Sequence, residues 1–152
     1  MEHEKLLDGT NLQIITALQE HARLSFVELG RRIGLTPPAI AERVRKLEEA
    51  GIITGYHAHI SLPGLGLNLL ALMWLRIPAD QYGPVLDLAR RLPEVLECHH
   101  VTGEDAFVLK IAVTSVVHLE QLIKQFSPYG QTNSTLILSS PVVKEVVTWR
   151  PE

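Results

Sequence analysis

Cysteine occurs only once in this chain, at Cys98, so an internal disulfide bond is impossible. Long apolar runs are also missing, because the longest, Leu69 to Leu75, is far too short to cross a bilayer. The N-terminal MEHEKLLDGT contains acidic residues and no apolar core of signal-peptide length. These absences argue against a disulfide scaffold, a membrane-spanning helix and a secreted protein. We therefore expect a cytoplasmic protein.

An overall excess of positive charge is missing as well. The net charge of −3 argues against a uniformly basic nucleic-acid binder. The charge is uneven, however, because residues 23–46 contain six basic and two acidic side chains. That segment has a net charge of +4 and the rest of the chain about −7, so the segment can attract a polyanion locally. A length of 152 residues with 46% apolar content fits one or two small globular domains.

The first third of the chain carries the start and stop signals of helices. Asp8 is suited to cap a helix that runs to about His21. Its predicted inward side consists of Leu12, Ile15 and Leu18. Ser25 and Glu28 form an S-x-x-E capping box for a second helix, which Gly34 is expected to end.

A third helix is predicted immediately afterwards. Thr36 is its expected cap, and prolines at positions 37 and 38 fit its first turn, where a missing N–H breaks no helical bond. Its inward stripe is Ile40, Val44 and Leu47, and Gly51 is expected to end it. Only residues 34–36 join the two helices, which predicts a helix-turn-helix.

The remainder of the chain alternates between strand and helix patterns. Residues 52–62 predict a strand, a turn and a strand, and PGLGLN predicts a linker. The segments that follow give the order β-α-β-β-α-β of a ferredoxin-like domain, with VKEVVTWR as a further edge strand. The predicted inward residues of its two helices are Val85, Leu88 and Leu92, and then Val116, Leu119 and Ile123.

Three stretches resemble the Lrp/AsnC family of bacterial and archaeal transcription regulators. The first covers residues 7–60 and is specific in the order and spacing of its motifs, and the shorter ones are VTGEDAFVLKIAV and QTNSTLILSSPV. The resemblance implies an α+β protein with an N-terminal, winged-helix-like helix-turn-helix domain and a C-terminal ferredoxin-like domain. It places these at residues 1–60 and 69–152, with a linker at residues 61–68. In the family, the C-terminal domain dimerises through its sheets, builds larger assemblies and often binds an amino acid.

The third helix supplies most of the predicted DNA-binding residues. Pro38, Ala39 and Glu42 are expected near base edges, and Arg43, Arg45 and Lys46 are expected to reach phosphates or guanine, because an arginine can bond bidentately to either. Ser25 and Thr36 are expected to touch the DNA backbone. Glu42 has two open interpretations, since it can accept from cytosine N4 or pair with Lys46 four residues on. An ordinary solvated helix is the competing interpretation.

The resemblance also implies an effector site, and this chain departs from the family pattern there. The family usually has an acidic residue at Asn11, which concerns helix capping, and commonly has an aspartate at Ala106. We expect Glu104 or Asp105 to supply the missing negative charge for an amino-acid ammonium group; the alternative is a different small effector. The other candidate effector residues are Gly103, Thr132, Asn133, Ser134 and Thr135. The same residues could also form a plain turn and a wet subunit interface.

Catalytic and metal sites find little support, and no cofactor is predicted. Cys98, His99 and His100 suggest a metal site, but consecutive strand residues point to opposite faces, so the two histidines do not readily share one ion. His57 and His59 share a face without convincing further ligands. Trp74 and Trp149 are expected to be core or interface residues.

Two alternatives to an effector-controlled regulator remain. Sirohaem decarboxylases share the domain layout, but their His-Asn-Tyr motif is replaced here by ECHHVTGED. A ligand-independent architectural DNA-binding protein is the other. The main expectation is a non-enzymatic homodimer that binds double-stranded DNA and assembles further, to a tetramer or octamer.

Overall fold

The computed structural model describes residues 6–148, which form two compact units. The first consists of residues 6–59 together with 142–148, and the second of residues 60–141. Residues 142–148, expected with the second domain, therefore contact the first unit. No helix among the described residues is both long and apolar enough to cross a bilayer.

Within residues 9–49, the first unit contains three helices: α1 (Gly9–Glu20), α2 (Phe26–Ile33) and α3 (Pro37–Glu49). The predicted stripe of α3 is confirmed as core. On α1 the prediction was partly wrong, because Ile14 is fully buried whereas Leu12 and Ile15 are partly exposed. The apolar stripe of α1 is wider than the core it faces, and spacing alone does not say which edge is covered. The buried core of this unit is Ile14, Leu18, Leu29, Ile40, Val44 and Leu47.

The helix starts match the sequence signals with one exception. The carboxylate of Asp8 accepts from the Asn11 N–H at 2.7 Å, and Ser25 and Glu28 form both hydrogen bonds of the capping box. Thr36 occupies the N-cap position of α3, but its side chain makes no capping hydrogen bond. Prolines fill the first two positions of α3, so one of the two N–H donors that a cap side chain serves is missing there.

The tight turn between α2 and α3 depends on two glycines. Gly34 ends α2 in the left-handed conformation with φ 81°, which costs a glycine little. Gly30 lies against the same turn, because a Cβ at this position would be only 2.4 Å from the carbonyl oxygen of Leu35. A side chain at residue 30 would therefore push the turn away from α2.

Two predicted strand segments are wrong. Residues 52–62 contain no strand, so the hairpin of a winged-helix-like wing is absent from the described structure, and residues 143–148 also form no strand. Trp149 and Arg150, the end of the predicted edge strand, lie outside the described residues. Strand-like sequences form a ladder only where a second edge is available to pair, and the sequence cannot show this.

The second unit has the predicted ferredoxin-like order. Its antiparallel sheet runs β2-β3-β1-β4. The elements, in chain order, are β1 (Leu69–Arg76), α4 (Tyr82–Arg91), β2 (Val95–His100), β3 (Phe107–Val113), α5 (Val116–Phe126) and β4 (Gln131–Ile137). Three short 3₁₀ turns lie at Pro63–Leu65, Ala79–Gln81 and Ser127–Tyr129.

The two helices pack on one face of this sheet. Residues 71, 73 and 75 of β1 are buried in one cluster with Val85 and Leu88 of α4, as predicted for that helix. Leu92 lies just past α4 and is partly buried against the same cluster. On α5 the prediction was wrong for Val116, which is 61% exposed, and the buried side consists of Leu119, Leu122 and Phe126. The opposite face of the sheet presents the partly exposed Leu72 and Trp74.

Candidate nucleic-acid interface and ligand-binding region

The outer surface of α3 is assembled from one exposed stripe. Pro38, Glu42, Arg45 and Lys46 are exposed, and Ala39 is partly exposed. Because Ile40, Val44 and Leu47 hold the opposite side in the core, this stripe is fixed in place by burial. The first turn carries no long or charged side chain, so the helix backbone there can approach another surface closely.

Charges on the outer surface of α3 are paired with one another. The guanidinium of Arg45 donates to both carboxylate oxygens of Glu42, at 2.7 and 3.0 Å, and also to Glu49. Lys46 lies 3.4 Å from Glu42, so the predicted i,i+4 pair is present but is secondary to Arg45. Arg45 holds the pKa of Glu42 well below its ordinary value, at about 2. In the absence of DNA, this surface is therefore charge-balanced.

Arg43 does not join this surface, contrary to expectation. Its guanidinium donates to Asp8 at 2.8 Å and to the side-chain oxygen of Asn11 at 2.9 Å. Arg43 directly precedes the buried Val44 and lies three residues after Ile40, so its side chain leaves the helix beside the core and reaches the start of α1. The hydrogen bond from Arg43 lowers the pKa of Asp8. The structure thus gives Arg43 a role inside the unit.

The two residues expected at the DNA backbone differ in availability. The Ser25 hydroxyl donates to Glu28 at 2.7 Å and accepts from the Glu28 N–H at 3.2 Å, which commits it to the capping box. The hydrogen bonds from Ser25 also lower the pKa of Glu28. Thr36 is exposed and its side chain caps nothing, so its hydroxyl can reach a neighbouring molecule.

Two basic residues of α2 were not singled out by the sequence reasoning. Arg31 and Arg32 lie in the last turn of α2 and are exposed. Within residues 6–148, neither forms a side-chain ion pair, in contrast to Arg45. Their place in the basic segment 23–46 was the available signal. They carry the positive charge that the outer surface of α3 lacks.

The predicted effector turn lies at the end of β1. Ala106 is buried, and its N–H donates to the Leu75 carbonyl at 2.8 Å. Both candidate carboxylates contact Arg76, which hydrogen-bonds Glu104 and lies 3.6 Å from Asp105. Nothing in the sequence pattern indicated Arg76. Two carboxylates share one guanidinium here, so the group keeps one net negative charge.

The polar residues of β4 do not all face one side. Thr132 and Ser134 pair with Leu75 and Met73, whose side chains are buried under the helices. Asn133 and Thr135 pair with Trp74 and Leu72 and therefore share the open face. The structure places the start of β4 and the turn at residues 103–106 at the same end of the sheet, with β1 between them.

The cysteine and histidines of β2 also divide between the two faces. Cys98 and His100 pair with Leu109 and Phe107 on the helix-covered side, whereas His99 lies on the other face and contacts Glu97 at 2.9 Å. In the described part of the chain, no three histidine, cysteine or acidic side chains are grouped as metal ligands. Burial raises the pKa of the Cys98 thiol, so a smaller fraction of it is the thiolate that binds a metal.

A helix-turn-helix followed by a ferredoxin-like domain is the architecture of a class of DNA-binding transcriptional regulators. Residues 7–48 match the model of the AsnC-type helix-turn-helix domain, and residues 70–147 match that of the Lrp/AsnC ligand binding domain. The chain belongs to the Lrp/AsnC family. It is a DNA-binding transcriptional regulator with the ligand-binding domain of that family.

The relatives span nearly the whole chain. The uncharacterised HTH-type transcriptional regulator YezC of Bacillus subtilis is 38% identical over 88% of this chain and 95% of its own length. The solved structure of Bacillus subtilis LrpC is 36% identical, covers 91% of this chain and 99% of that chain, and has a TM-score of 0.87. The complex of the transcriptional regulator NMB0573 from Neisseria meningitidis with L-Met is 31% identical, covers 90% and 93% of the two chains, and has a TM-score of 0.84.

Proposed function

We propose that a homodimer of this chain binds double-stranded DNA in the cytoplasm through the exposed surface of α2 and α3. The observation that carries this proposal is the first turn of α3, which has no charged side chain, together with Arg31 and Arg32 of α2, which form no ion pair with residues 6–148. A helix with small residues at its start can enter a major groove about 12 Å wide, while basic side chains of the preceding helix reach the phosphates.

The residues of this surface have different roles in the proposal. Pro38, Ala39 and Glu42 lie near base edges, and Arg45 and Lys46 reach guanine or phosphate. Thr36, Arg31 and Arg32 contact the DNA backbone. Ser25 and Arg43 are left out, because Ser25 is committed to the capping box and Arg43 donates to the buried Asn11, whereas the partners of Arg45 are exposed on the same surface. On binding, Arg45 exchanges Glu42 and Glu49 for DNA.

Salt dependence of DNA binding tests this assignment. Lys46→Ala and Arg32→Ala should each lower the slope of log affinity against log salt by about one per copy, because each lost phosphate contact releases one counterion fewer. Arg45→Ala should lower affinity as well. Arg90→Ala is the matched control, since Arg90 is an exposed helical arginine paired with an acid three residues away, as Arg45 is. Equal slopes in all four variants would show that the surface lies elsewhere.

We propose further that an amino acid binds at the end of the sheet and modulates DNA binding. The match to the Lrp/AsnC ligand binding domain supports this, as does the structure of the related NMB0573 with L-Met. Backbone amides near Gly103 supply donors for a carboxylate. The net negative charge of Glu104 and Asp105 beside Arg76 supplies the partner of an ammonium group.

Calorimetry against the twenty amino acids tests the effector proposal. Asp105→Asn should weaken binding on the order of tenfold, the loss of one charge-assisted hydrogen bond. Asp80→Asn, an exposed acid in the turn after β1, should leave it unchanged. An amino-acid affinity that is the same in the wild type and in both variants would refute the role of Asp105. An absence of binding at millimolar concentration would favour the ligand-independent architectural alternative.

The protein acts by binding and not by catalysis in this proposal. The related YezC and LrpC of Bacillus subtilis are both named as HTH-type transcriptional regulators. Incubation with sirohaem should leave the tetrapyrrole unchanged, as followed by absorbance and mass. Decarboxylated product would contradict the proposal and favour the enzyme alternative.

A further inference from the structure

Residues 142–148 belong to the same compact unit as the helix-turn-helix, which is called the DNA-binding unit below. The side-chain amide of Gln19 on α1 pairs with the backbone of Val147 through two hydrogen bonds. The Val147 N–H donates to Gln19 Oε1 at 2.8 Å, and Gln19 Nε2 donates to the Val147 carbonyl at 3.1 Å. This is the donor and acceptor pattern with which a neighbouring β-strand would bind an extended peptide.

A second contact fixes the same segment. Glu145 lies 2.9 Å from the imidazole of His59, which follows α3 in the chain. Between the segment and α1 lies a cavity of about 800 Å³. Its apolar lining includes Leu12 and Ile15, the α1 residues that the three-helix core leaves partly exposed. The segment therefore borders a surface of α1 that α2 and α3 leave open.

The docked residues follow the last strand of the ligand-binding unit in the chain. Strand β4 of the ligand-binding unit ends at Ile137, and the docked residues follow within ten positions. Residues 60–68 already connect the two units before β1. The docked segment makes a second connection, and it starts from the strand that carries Thr132 to Thr135.

We propose that residues 145–148 act as a built-in peptide ligand of the DNA-binding unit, and that their docking sets its affinity for DNA. The inference rests on the proposed DNA-binding function. With the segment docked, two stretches of chain connect the DNA-binding unit to the ligand-binding unit: residues 60–68 and the residues between β4 and the docked segment. A dimer restrained in this way loses less conformational freedom when both α3 helices bind their half-sites.

The contact between the segment and the DNA-binding unit is weak enough to form and break reversibly. Both Gln19 hydrogen bonds are exposed to solvent, and His59 and Glu145 are largely exposed, so water and salt compete with each of them. We expect release of the segment to lower affinity for a well-spaced site on the order of fivefold, the factor that roughly 1 kcal/mol represents. We also expect a released dimer to accept a wider range of half-site spacings.

A double-mutant cycle on the full-length chain tests the proposal. Gln19→Leu removes both hydrogen bonds, and Val147→Pro removes the backbone donor without altering Gln19. Each variant should lower affinity for the best-spaced site and flatten the dependence on spacing, and the double variant should add little. The matched controls are Gln13→Leu, at an exposed glutamine of α1, and Val143→Pro, at an exposed valine of the segment.

Hydrogen exchange separates docking from its consequence. The Val147 amide should be protected in the wild-type chain and in Gln13→Leu, and should lose protection in Gln19→Leu. Unprotected Val147 in the wild type would refute docking, whether or not the protein binds DNA. Lost protection with unchanged affinity and spacing, or additive effects in the cycle, would refute control of DNA binding. A wild type that shows protection but no DNA binding would overturn the proposed function, and with it the control of DNA binding, but not the docked segment.

Discussion

Arg43 shows how one side chain can serve the fold of a binding unit and not its surface. It bridges the start of α1 and the middle of α3 through Asp8 and the buried Asn11. Arg43→Ala leaves the Asn11 side chain without that donor. We expect a loss of about 1–2 kcal/mol in the free energy of unfolding, measured by denaturant unfolding at neutral pH. Arg23→Ala, which removes an exposed arginine, should have no such effect.

The same pair makes this loss depend on pH. Arg43 lowers the pKa of Asp8 below its ordinary value of 3.8, so the carboxylate stabilises the folded state above that pH. As pH falls through the lowered pKa, Asp8 takes up a proton and the stabilisation disappears. The stability difference between wild type and Arg43→Ala should therefore shrink below pH 4. A constant difference from pH 7 to pH 3 would contradict the ion pair.

At the scale of the element, the helix-turn-helix depends on the close contact of α2 with its following turn. Gly30→Ala places a Cβ only 2.4 Å from the Leu35 carbonyl oxygen, so the backbone has to move. We expect a destabilisation of about 1–3 kcal/mol. Gly9→Ala is the control, because a Cβ there meets nothing within 4 Å, and its melting temperature should be unchanged or slightly higher. Equal melting temperatures for both variants would contradict the packing described.

The sequence predicted elements best where the signals are local. Caps and glycines at Asp8, Ser25 and Gly34 act within one turn, and these predictions are confirmed. The errors concern which apolar residues find cover. Val116 fits the α5 stripe, but it is the first residue of the helix and is exposed, whereas Leu119 and Leu122 are buried. Residues 52–62 alternate like a strand without a partner strand. Burial of a side chain and pairing of a strand depend on tertiary structure, which local sequence patterns do not encode.

The candidate site was predictable in part for the same reason. The outward side of α3 follows from helical periodicity, so Arg45 and Lys46 are placed correctly on the exposed stripe. Which acid pairs with which base does not follow. Arg43 contacts Asp8 across 35 positions and Arg76 contacts Glu104 across 28, and such pairs require the packed structure.

At the scale of the whole molecule, assembly should depend on the open face of the sheet. Leu72 and Trp74 are only partly covered there, and pairing of two such faces over about 1,600 Å² would bury them. Leu72→Glu should convert the dimer to a monomer in sedimentation velocity, because a charge would be buried without a partner. Val116→Glu, on the exposed end of α5, should remain dimeric. A dimeric Leu72→Glu variant would refute this face as the interface.

The central claim is that two copies of α3 read DNA sequence together. Selection of binding sites from a random DNA pool by the wild-type protein tests it most directly. We expect enrichment of an inverted repeat whose half-sites lie one helical turn, about 10 base pairs, or a multiple of it apart. Arg45→Ala should bind the selected site more weakly than Arg90→Ala does. A pool that stays random after repeated rounds, or a selected site that both variants bind equally, would contradict the claim.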